Sequence, residues 1–458
     1  MTDSKQLNRR DFLKFAAAAS VGMCNRKATL GLLAGLQGAT VEAASTDYKA
    51  LVCIFLAGGN DGFNILIPAD TDSYQTYKTS RGNLAFPSEN LLNLNPTTAG
   101  QHYAVSDRAL GFQSLYNGGR LAFVANVGTL VQPTTKDDYQ KGLHLPPQLF
   151  SHSDQTDQGM SSQLDAIEKV GWGGRMADLL TTLNGTSPLP LSVSLSGNNL
   201  FQVGSSTKSY SMSSSGVNSF NVTSGGPTHP RTIAFNKILG LSLNNGRLFE
   251  REFAKTVKGA NDLSLKLKTV LESSSIGNGI WPGGGLSSQL QMVARVISVR
   301  QALGVKRQIF YVVQGGYDTH DNQITNHGNL ISELSQGMSA FHNAMDDLGI
   351  GTGVTSFTLS DFGRTLTSNG DGTDHAWGNI QLVAGGSVIG SNVYGEFPDL
   401  TINGPDDSGY GRLIPTTSIE QYGATLARWF GIGETELSTI FPHLNRFSST
   451  NLNFMASV

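Results

Sequence analysis

The sequence predicts an α/β fold in which helices flank both faces of a doubly wound, mostly parallel sheet. Short apolar runs without polar alternation recur along the chain, and several end in glycine-rich loops, as Ala50–Leu56 does before Gly58-Gly59-Asn60-Asp61-Gly62. Such runs are typical of strands that are buried on both faces. Segments with helical periodicity separate the runs, and this alternation is typical of parallel β-α units.

Each element follows from its local pattern. The apolar runs predict strands at 50–56, 121–127, 189–195, 308–313, 354–359 and 380–384. Helical periodicity predicts a helix end at 114–116 and helices at 163–183, 233–271 (one or two helices), 286–303, 329–348 and 417–430. Thr417 or Ser418 is the expected N-cap of the last helix. The Ser/Gly-rich stretch 205–228 predicts a surface insertion, and 276–285 a glycine-rich break.

The first 45 residues predict an export signal. Asn8-Arg9-Arg10-Asp11-Phe12-Leu13-Lys14 has the paired arginines of a twin-arginine signal, a small-residue stretch follows, and Val41–Ser45 offers small residues for cleavage. The apolar stretch is too short to span a bilayer. We therefore expect 1–45 to engage the twin-arginine translocase, and 46–458 to form a single domain in the periplasm or outside the cell. The alternative is a cytoplasmic chain with a basic amphipathic start.

Charge and cysteine content restrict the classes of protein to which this chain can belong. Removal of 1–45 takes away six basic and three acidic residues, so the net charge changes from −3 to −6. A mildly acidic protein with scattered charge is a poor candidate for nucleic-acid binding. Cys53 is then the one remaining cysteine, so no intrachain disulfide is expected. No later segment is apolar enough to predict a membrane span.

Acidic residues follow three of the predicted strands. Asp61, Asp318 and Asp361 each lie within a few residues of a strand end, at the edge where open parallel sheets bind ligands. Carboxylates that converge there repel each other unless a cation lies between them. His320 lies two residues after Asp318, and His375 lies in Gly372–Gly378, between the Asp361 loop and the next predicted strand. Asp and His ligands suit zinc or manganese, and carboxylates with water suit magnesium or calcium. The five residues predict a divalent metal site.

A structural explanation exists for each of these residues. A single Asp after a strand is commonly a helix cap or turn residue. A single His is commonly a hydrogen-bonded polar residue. Repetition at three strand ends, each in a glycine-flanked loop, favours a functional site over these alternatives.

The same loops resemble the motifs of a known family. The matching segments are Gly58–Gly62, Gly315–His320, Ser360–Arg364, Gly372–His375, Ser151-His152, Leu426–Gly431 and Phe441-Pro442. They resemble a large exported family known only as a domain of unknown function, often with a twin-arginine signal. The resemblance runs from about Tyr48 to Phe447, nearly the whole mature chain. That family is similar in fold to the alkaline phosphatase and sulfatase superfamily.

The resemblance implies roles for the metal candidates. In the superfamily, an Asp after the first strand and later Asp and His residues hold one or two metals. Asp61 matches the first-strand Asp, Asp318 and His320 match an Asp/His pair, and His375 matches the final His. Asp361 matches the Asp of an Asp-His pair whose His is Phe362 in this sequence. A single metal, or a second site of the magnesium or calcium type, therefore fits better than two zinc ions.

The resemblance also implies a nucleophile and an anion clamp. The polar cluster at 151–156 is placed like the superfamily nucleophile, so Ser151 or Ser153 would attack phosphorus or sulfur. Arg364 would hold the tetrahedral group in bidentate fashion, and His152 would donate to the same anion. The alternatives are a surface loop capped by Ser and Asp, and an Arg364 paired with an acidic residue.

These expectations combine into a metal-dependent hydrolase of phosphate or sulfate esters, with a small-molecule or glycan ester as substrate. Fold alone does not determine function, so two other classes stay open. One is an exported binding or assembly protein that kept the fold without the chemistry. The other is a phospho- or sulfotransferase, which differs only in the acceptor.

Overall fold

A nine-stranded sheet forms the centre of the protein. The structure is a computed structural model that describes residues 48–456, except 165–168, 218–219, 224, 245 and 277–280. The predicted export signal at 1–45 therefore lies outside the described residues. Among the described helices, none combines the length and hydrophobicity needed to cross a membrane.

The strands and helices follow in chain order. The strands are β1 Lys49–Ala57, β2 Ile67–Pro68, β3 Leu91–Asn93, β4 Tyr103–Ser106, β5 Leu121–Gly128, β6 Ser192–Ser194, β7 Tyr210–Ser211, β8 Arg307–Gly315, β9 Val354–Ser360, β10 Arg364–Ser368, β11 Thr373–His375, β12 Asn379–Gly385, β13 Asn392–Tyr394 and β14 Thr417–Ser418. The helices are α1 Thr71–Arg81, α2 Leu110–Asn117, α3 Lys136–Gln140, α4 His152–Ser161, α5 Trp172–Leu180, α6 Pro230–Leu243, α7 Leu248–Glu272, α8 Gly285–Ser298, α9 Arg300–Leu303, α10 Gln323–Asp347, α11 Ile419–Phe430 and α12 Leu437–Ile440.

The order of the main sheet is β13-β5-β12-β9-β1-β8-β6-β7, and β14 also pairs with β5. β1 lies between β8 and β9 and is parallel to both, with Ala57 opposite Gly315 and Leu56 opposite Ser360. β12 is antiparallel to both of its neighbours. The predicted mostly parallel α/β fold is therefore confirmed, with β12 reversed.

Helices cover both faces of the sheet, as the unalternating apolar runs predict. Val52 and Ile54 of β1 are buried in one core with residues of α2, α8 and α10. Cys53 and Phe55 are buried in a second core with residues of α5, α11 and α12. Because successive strand residues point to opposite faces, a strand between two cores is apolar at every position. Cys53 is a free thiol in this interior.

Several expected elements differ in extent. Of the helix predicted at 163–183, the structure describes Trp172–Leu180 as α-helix, and 165–168 lie outside the described residues. The helix predicted at 286–303 forms two helices, α8 and α9. The segment predicted at 233–271 forms two helices, α6 and α7. The insertion at 205–228 adds the short edge strand β7, which pairs with β6. Ser418 is the N-cap of α11, where it forms a capping box with Gln421.

Candidate metal centre

Three loops meet where β1, β8 and β9 end. The Gly58 amide donates to Asp361 Oδ1 at 3.0 Å, and Arg364 Nη1 donates to the Gly58 carbonyl at 3.2 Å. Gly58 has a φ of +119°, and a Cβ there would lie 2.4 Å from the Asp318 amide nitrogen. A residue without a side chain is therefore required for the Asp318 loop to close against β1. This contact brings the loops of Asp318 and Asp361 together.

Three histidines surround one carboxylate oxygen in these loops. Asp318 Oδ1 lies 3.0 Å from His320 Nε2, 3.2 Å from His375 Nε2 and 3.6 Å from His152 Nε2. His375 Nε2 lies 3.1 Å from the Nε2 atoms of both His152 and His320. We call these four residues the His3Asp cluster. His152, Asp318 and His375 each offer a ligand atom, and all three of these atoms lie within 4.8 Å of one another.

The other ring nitrogen of each histidine has an acceptor. His152 Nδ1 lies 2.7 Å from Asp361 Oδ2, His375 Nδ1 lies 2.9 Å from the Phe150 carbonyl oxygen, and His320 Nδ1 lies 3.2 Å from Asp374 Oδ1. Acceptors at Nδ1 place the proton there and leave a lone pair at Nε2. A carboxylate or carbonyl at the second nitrogen is the usual companion of a metal-binding histidine.

The contacts inside the cluster suit a cation at its centre. In the neutral form with the proton on Nδ1, each Nε2 atom is an acceptor, as is the Asp318 oxygen, so these atoms do not form hydrogen bonds with one another. Ligand atoms about 2.1 Å from a tetrahedral ion lie roughly 3.4 Å apart, and the separations among the ligand atoms of His152, Asp318 and His375 are 3.1–3.6 Å. His320 Nε2 lies 3.0 Å from Asp318 Oδ1 and 3.1 Å from His375 Nε2. Three imidazoles and one carboxylate are a donor set that suits zinc. The residues therefore fit a single divalent metal.

Protonation states agree with this fit. Burial lowers the pKa of His375, so its ring is neutral at pH 7. Burial raises the pKa of Asp318, but the hydrogen bond and charge of Arg364 outweigh this, with smaller contributions from His320 and His152. The net pKa of Asp318 lies below its usual value. A neutral imidazole and an ionised carboxylate are the forms that bind metals.

Arg364 lies beneath the cluster and is completely buried. Its Nη1 donates to Asp318 Oδ1 at 2.7 Å, its Nε donates to Thr373 Oγ1 at 3.2 Å, and its Nη2 donates to the Thr373 carbonyl. The expected clamp on a substrate oxyanion is therefore not what this geometry provides. Because each guanidinium nitrogen already has a protein acceptor, Arg364 positions Asp318 instead.

Asp61 is placed apart from the histidines. Its Oδ2 accepts from Arg81 Nη2 and from Gln323 Nε2, and both Asp61 and Arg81 are completely buried. The expectation that Asp61 shares one ion with the histidines is not met in this arrangement, because Arg81 already neutralises its charge. The adjacent Asn60 pairs with His327 Nε2 at 3.0 Å.

Asp361 and His152 both differ from their expected roles. Asp361 accepts from Gly58 and from His152, so it orients an imidazole rather than facing the other ligand atoms. His152, expected to donate to an anion, contributes a ring nitrogen to the cluster. One signal in the sequence pointed to this: Phe362 replaces the expected histidine and leaves the set one imidazole short. The Phe362 ring packs against His152, with ring centroids 4.7 Å apart.

The two expected nucleophiles begin the helix that carries His152. Ser151 is the N-cap of α4, and its Oγ donates to Asp154 Oδ2 at 2.6 Å. Ser153 Oγ lies 3.3 Å from the same carboxylate oxygen and 3.3 Å from Ser151 Oγ. Both hydroxyls are thus next in sequence to a cluster residue, and Ser151 has a proton acceptor.

The cluster opens to solvent. The side chains of Asp318 and His320 are each 45% exposed, whereas Arg364 below them is inaccessible. A cavity of about 730 Å³, lined by residues such as Tyr48, Lys306 and Gly353, lies at the opposite edge, where β1, β8 and β9 begin. A ligand of the cluster would therefore approach it from the surface rather than through that cavity.

The fold and the cluster define an α/β protein with a candidate metal centre at the carboxyl edge of its sheet. The chain belongs to the family described as Protein of unknown function (DUF1501), which matches residues 48–408. No curated protein matches this chain in sequence.

Several solved structures are similar to this one. The PsFucS1 sulfatase from Pseudoalteromonas sp. is 9% identical, with 88% of this chain and 70% of that chain covered and a TM-score of 0.34. The lipoteichoic acid synthase LtaP from Listeria monocytogenes is 8% identical, with coverages of 88% and 78% and a TM-score of 0.31. The soluble domain of lipooligosaccharide phosphoethanolamine transferase A from Neisseria meningitidis is 10% identical, with coverages of 87% and 94% and a TM-score of 0.30. Similarity at this level concerns the fold alone.

Proposed function

We propose that this chain is an exported, metal-dependent hydrolase of phosphate or sulfate esters. The observation that carries the proposal is the convergence of three histidine Nε2 atoms on Asp318 Oδ1 at separations of 3.0–3.6 Å. His152, His320, His375 and Asp318 would hold one divalent ion, with zinc and manganese best suited to these donors. When bound, the ion would polarise an ester oxygen and stabilise charge that develops in the transition state.

The surrounding residues keep the cluster ready for this ion. Asp361 orients the His152 ring, and Arg364 keeps Asp318 ionised from below. The open side of the cluster leaves room for a phosphate or sulfate group. The resemblance of the loop motifs to an exported family with an alkaline-phosphatase-like fold supports the same reaction class.

Ser151 is the proposed nucleophile. Attack of Ser151 Oγ on phosphorus or sulfur would form the new ester bond, transfer the hydroxyl proton to Asp154 and release the substrate's alcohol after protonation by water. Water would then hydrolyse the serine ester. Substitution Ser151→Ala should abolish turnover, whereas Ser153→Ala should keep most of it, because Asp154 is nearer to Ser151.

Metal analysis and ester turnover test the proposal together. Protein purified without chelator should contain about one divalent ion per chain and should hydrolyse an aryl phosphate or an aryl sulfate. His320→Ala should lower metal content and turnover together, with little effect on folding because this side chain is half exposed. His102→Ala, an exposed histidine elsewhere, is the matched control. Asp318→Asn is a less clean variant because it leaves the buried Arg364 without its carboxylate partner.

A binding protein is the second candidate, because Arg364 is fully engaged and cannot hold a substrate anion. Metal at wild-type stoichiometry in His320→Ala would contradict the site. Bound metal without turnover of either ester, with any divalent ion, would favour the binding protein and overturn the hydrolase.

A further inference from the structure

A helical hairpin formed by α6 and α7 exposes apolar side chains at its tip. The helices are joined by residues 244–247, of which 245 lies outside the described residues. Phe249 is 89% exposed and Phe253 is 71% exposed. Ile238, Leu241 and Leu248 are also exposed on the same turns beside the connection. Contiguous exposed apolar residues of this kind indicate an interaction surface.

Helical periodicity places the exposed apolar residues on one face of each helix. Phe249 and Phe253 are four residues apart and lie on one face of α7, while Ala254 is buried. Ile238 and Leu241 are three residues apart on α6, while Leu239 is buried. Each helix therefore uses one face for packing and presents a second apolar face near the tip, so the exposure is not a by-product of the hairpin contact.

The opposite end of the hairpin is firmly attached. Leu267 and Leu271 of α7 are buried in the core that includes β1 and α8. Arg295 of α8 donates to the Leu271 carbonyl at 3.1 Å and to Ser274 Oγ at 3.0 Å. Tyr210 Oη lies 3.2 Å from Ser264 Oγ. The hairpin is thus anchored to the core at the end remote from its connection.

The hairpin is basic in an acidic chain. Residues 230–272 contain eight basic and four acidic residues, a net charge of +4, whereas the whole chain has −3. The first two turns on either side of the connection contain four basic residues (Lys237, Arg247, Arg251, Lys255) and two acidic ones (Glu250, Glu252). Glu250 pairs with Arg247 and Glu252 with Lys255 and Arg251, so a net charge of +2 remains at the tip. An apolar tip surrounded by positive charge is complementary to a surface that is apolar within and anionic outside.

We propose that the tip of this hairpin docks on an anionic lipid surface. Phe249, Phe253 and their apolar neighbours enter the boundary between headgroups and acyl chains, where aromatic side chains are favoured. The stem of Lys237 lies along the same boundary, and its amine contacts lipid phosphates. The amine of Lys255 lies 2.9 Å from Glu252 Oε1, so Lys255 offsets an acidic charge at this surface. The hairpin lies on the membrane and does not span it.

Vesicle co-sedimentation of the purified full chain tests this docking. Wild-type protein should bind vesicles of phosphatidylglycerol and should bind phosphatidylcholine vesicles much more weakly. The double variant Phe249→Ser/Phe253→Ser should bind phosphatidylglycerol at least about tenfold more weakly, because two exposed aromatic anchors are lost. Salt should weaken wild-type binding, and Lys237→Gln/Lys255→Gln should reduce that salt dependence.

Leu110→Ser is the matched control, since Leu110 is 61% exposed on α2, outside the hairpin. It should bind vesicles as the wild type does. An unchanged melting temperature of the double variant shows that its fold is intact. Three results overturn the proposal: no vesicle binding by the wild type, equal binding by the double variant, or a dimer that the double variant converts to monomer without any vesicle binding. The last result would assign the surface to a second copy of the chain.

Discussion

At the scale of single residues, Asp61 is expected to contribute to stability and not to metal binding. Its carboxylate is the counter-ion of Arg81, and both side chains are completely buried. Asp61→Asn would leave the Arg81 charge unpaired in the interior. We expect the free energy of unfolding to fall by about 3 kcal/mol or more, while metal stoichiometry stays the same.

Chemical denaturation and elemental analysis of the same preparation test this prediction. Asp72→Asn, an exposed position on the same helix as Arg81, should change stability by less than about 0.5 kcal/mol. Loss of metal in a fully folded Asp61→Asn variant would return Asp61 to the ligand set.

His342 makes stability depend on pH at a position remote from the cluster. Its Nε2 lies 2.7 Å from Ser356 Oγ, and burial lowers its pKa to about 3, with Arg120 as a smaller cause. The unfolded chain takes up this proton near pH 6.5, whereas the native protein does so only near pH 3. The unfolded state therefore binds more protons in this window, and stability falls as the pH decreases through it.

We expect His342 alone to contribute a loss of about 2 kcal/mol in the free energy of unfolding between pH 7 and pH 5. His342→Gln cannot take up the proton, so the variant should lose that much less over the same interval. Urea denaturation at both pH values measures the difference. Equal losses in the two proteins would show that the native state protonates His342 at its ordinary pKa.

Residue-level chemistry was only partly predictable from the sequence. Asp318, His320 and His375 were recognisable because they follow strands in glycine-flanked loops, and the structure brings them together. The separation of Asp61 was not predictable, because its partner Arg81 comes from a helix whose packing is a tertiary property. The position of His152 in the cluster depends on how α4 docks, which local sequence does not encode.

At the scale of elements, Gly58 determines whether the loops can meet. Its positive φ and the 2.4 Å approach to the Asp318 amide leave no room for a side chain. Gly58→Ala should push the Asp318 loop outward and lower metal affinity at least about tenfold, even where the protein still folds. Gly119→Ala is the control, since Gly119 also has a positive φ of +73° but open space around it.

Competition with a chelator, together with melting temperatures, separates the two effects. Gly119→Ala should lose about 1 kcal/mol to backbone strain. Gly58→Ala should lose more, because its Cβ also meets the Asp318 amide, and it alone should lose metal affinity. Equal metal affinity in the two variants would mean that the loops tolerate displacement.

The elements themselves were largely predictable, because apolar runs identify strands that are buried on both faces. Direction was not. The run at 380–384 looks like the others, yet β12 runs antiparallel to β5 and β9. An apolar run does not indicate in which direction its strand runs. That direction depends on the connections before and after the strand. The loops and short strands β10 and β11 between β9 and β12 return the chain so that β12 is reversed.

At the scale of the whole molecule, the centre of the sheet joins distant parts of the chain. β1 at 49–57 pairs with β8 at 307–315 and with β9 at 354–360. The cluster combines His152 from α4 with residues beyond 317, so neither the sheet nor the site exists until most of the chain has folded. High contact order of this kind slows folding. A twin-arginine signal, which addresses folded proteins, suits such a chain.

The proposed export gives a further prediction. Changing Arg9 and Arg10 to Lys keeps the charge of the proposed signal but removes its paired arginines, so the chain should stay in the cytoplasm in folded form. Arg26→Lys, a basic position outside the motif, should be exported as the wild type is. Fractionation with immunoblotting shows where each protein accumulates, and metal content of the retained precursor shows whether the site fills before transport. Unchanged recovery of the Arg9→Lys/Arg10→Lys variant outside the cytoplasm would show that the chain uses another route.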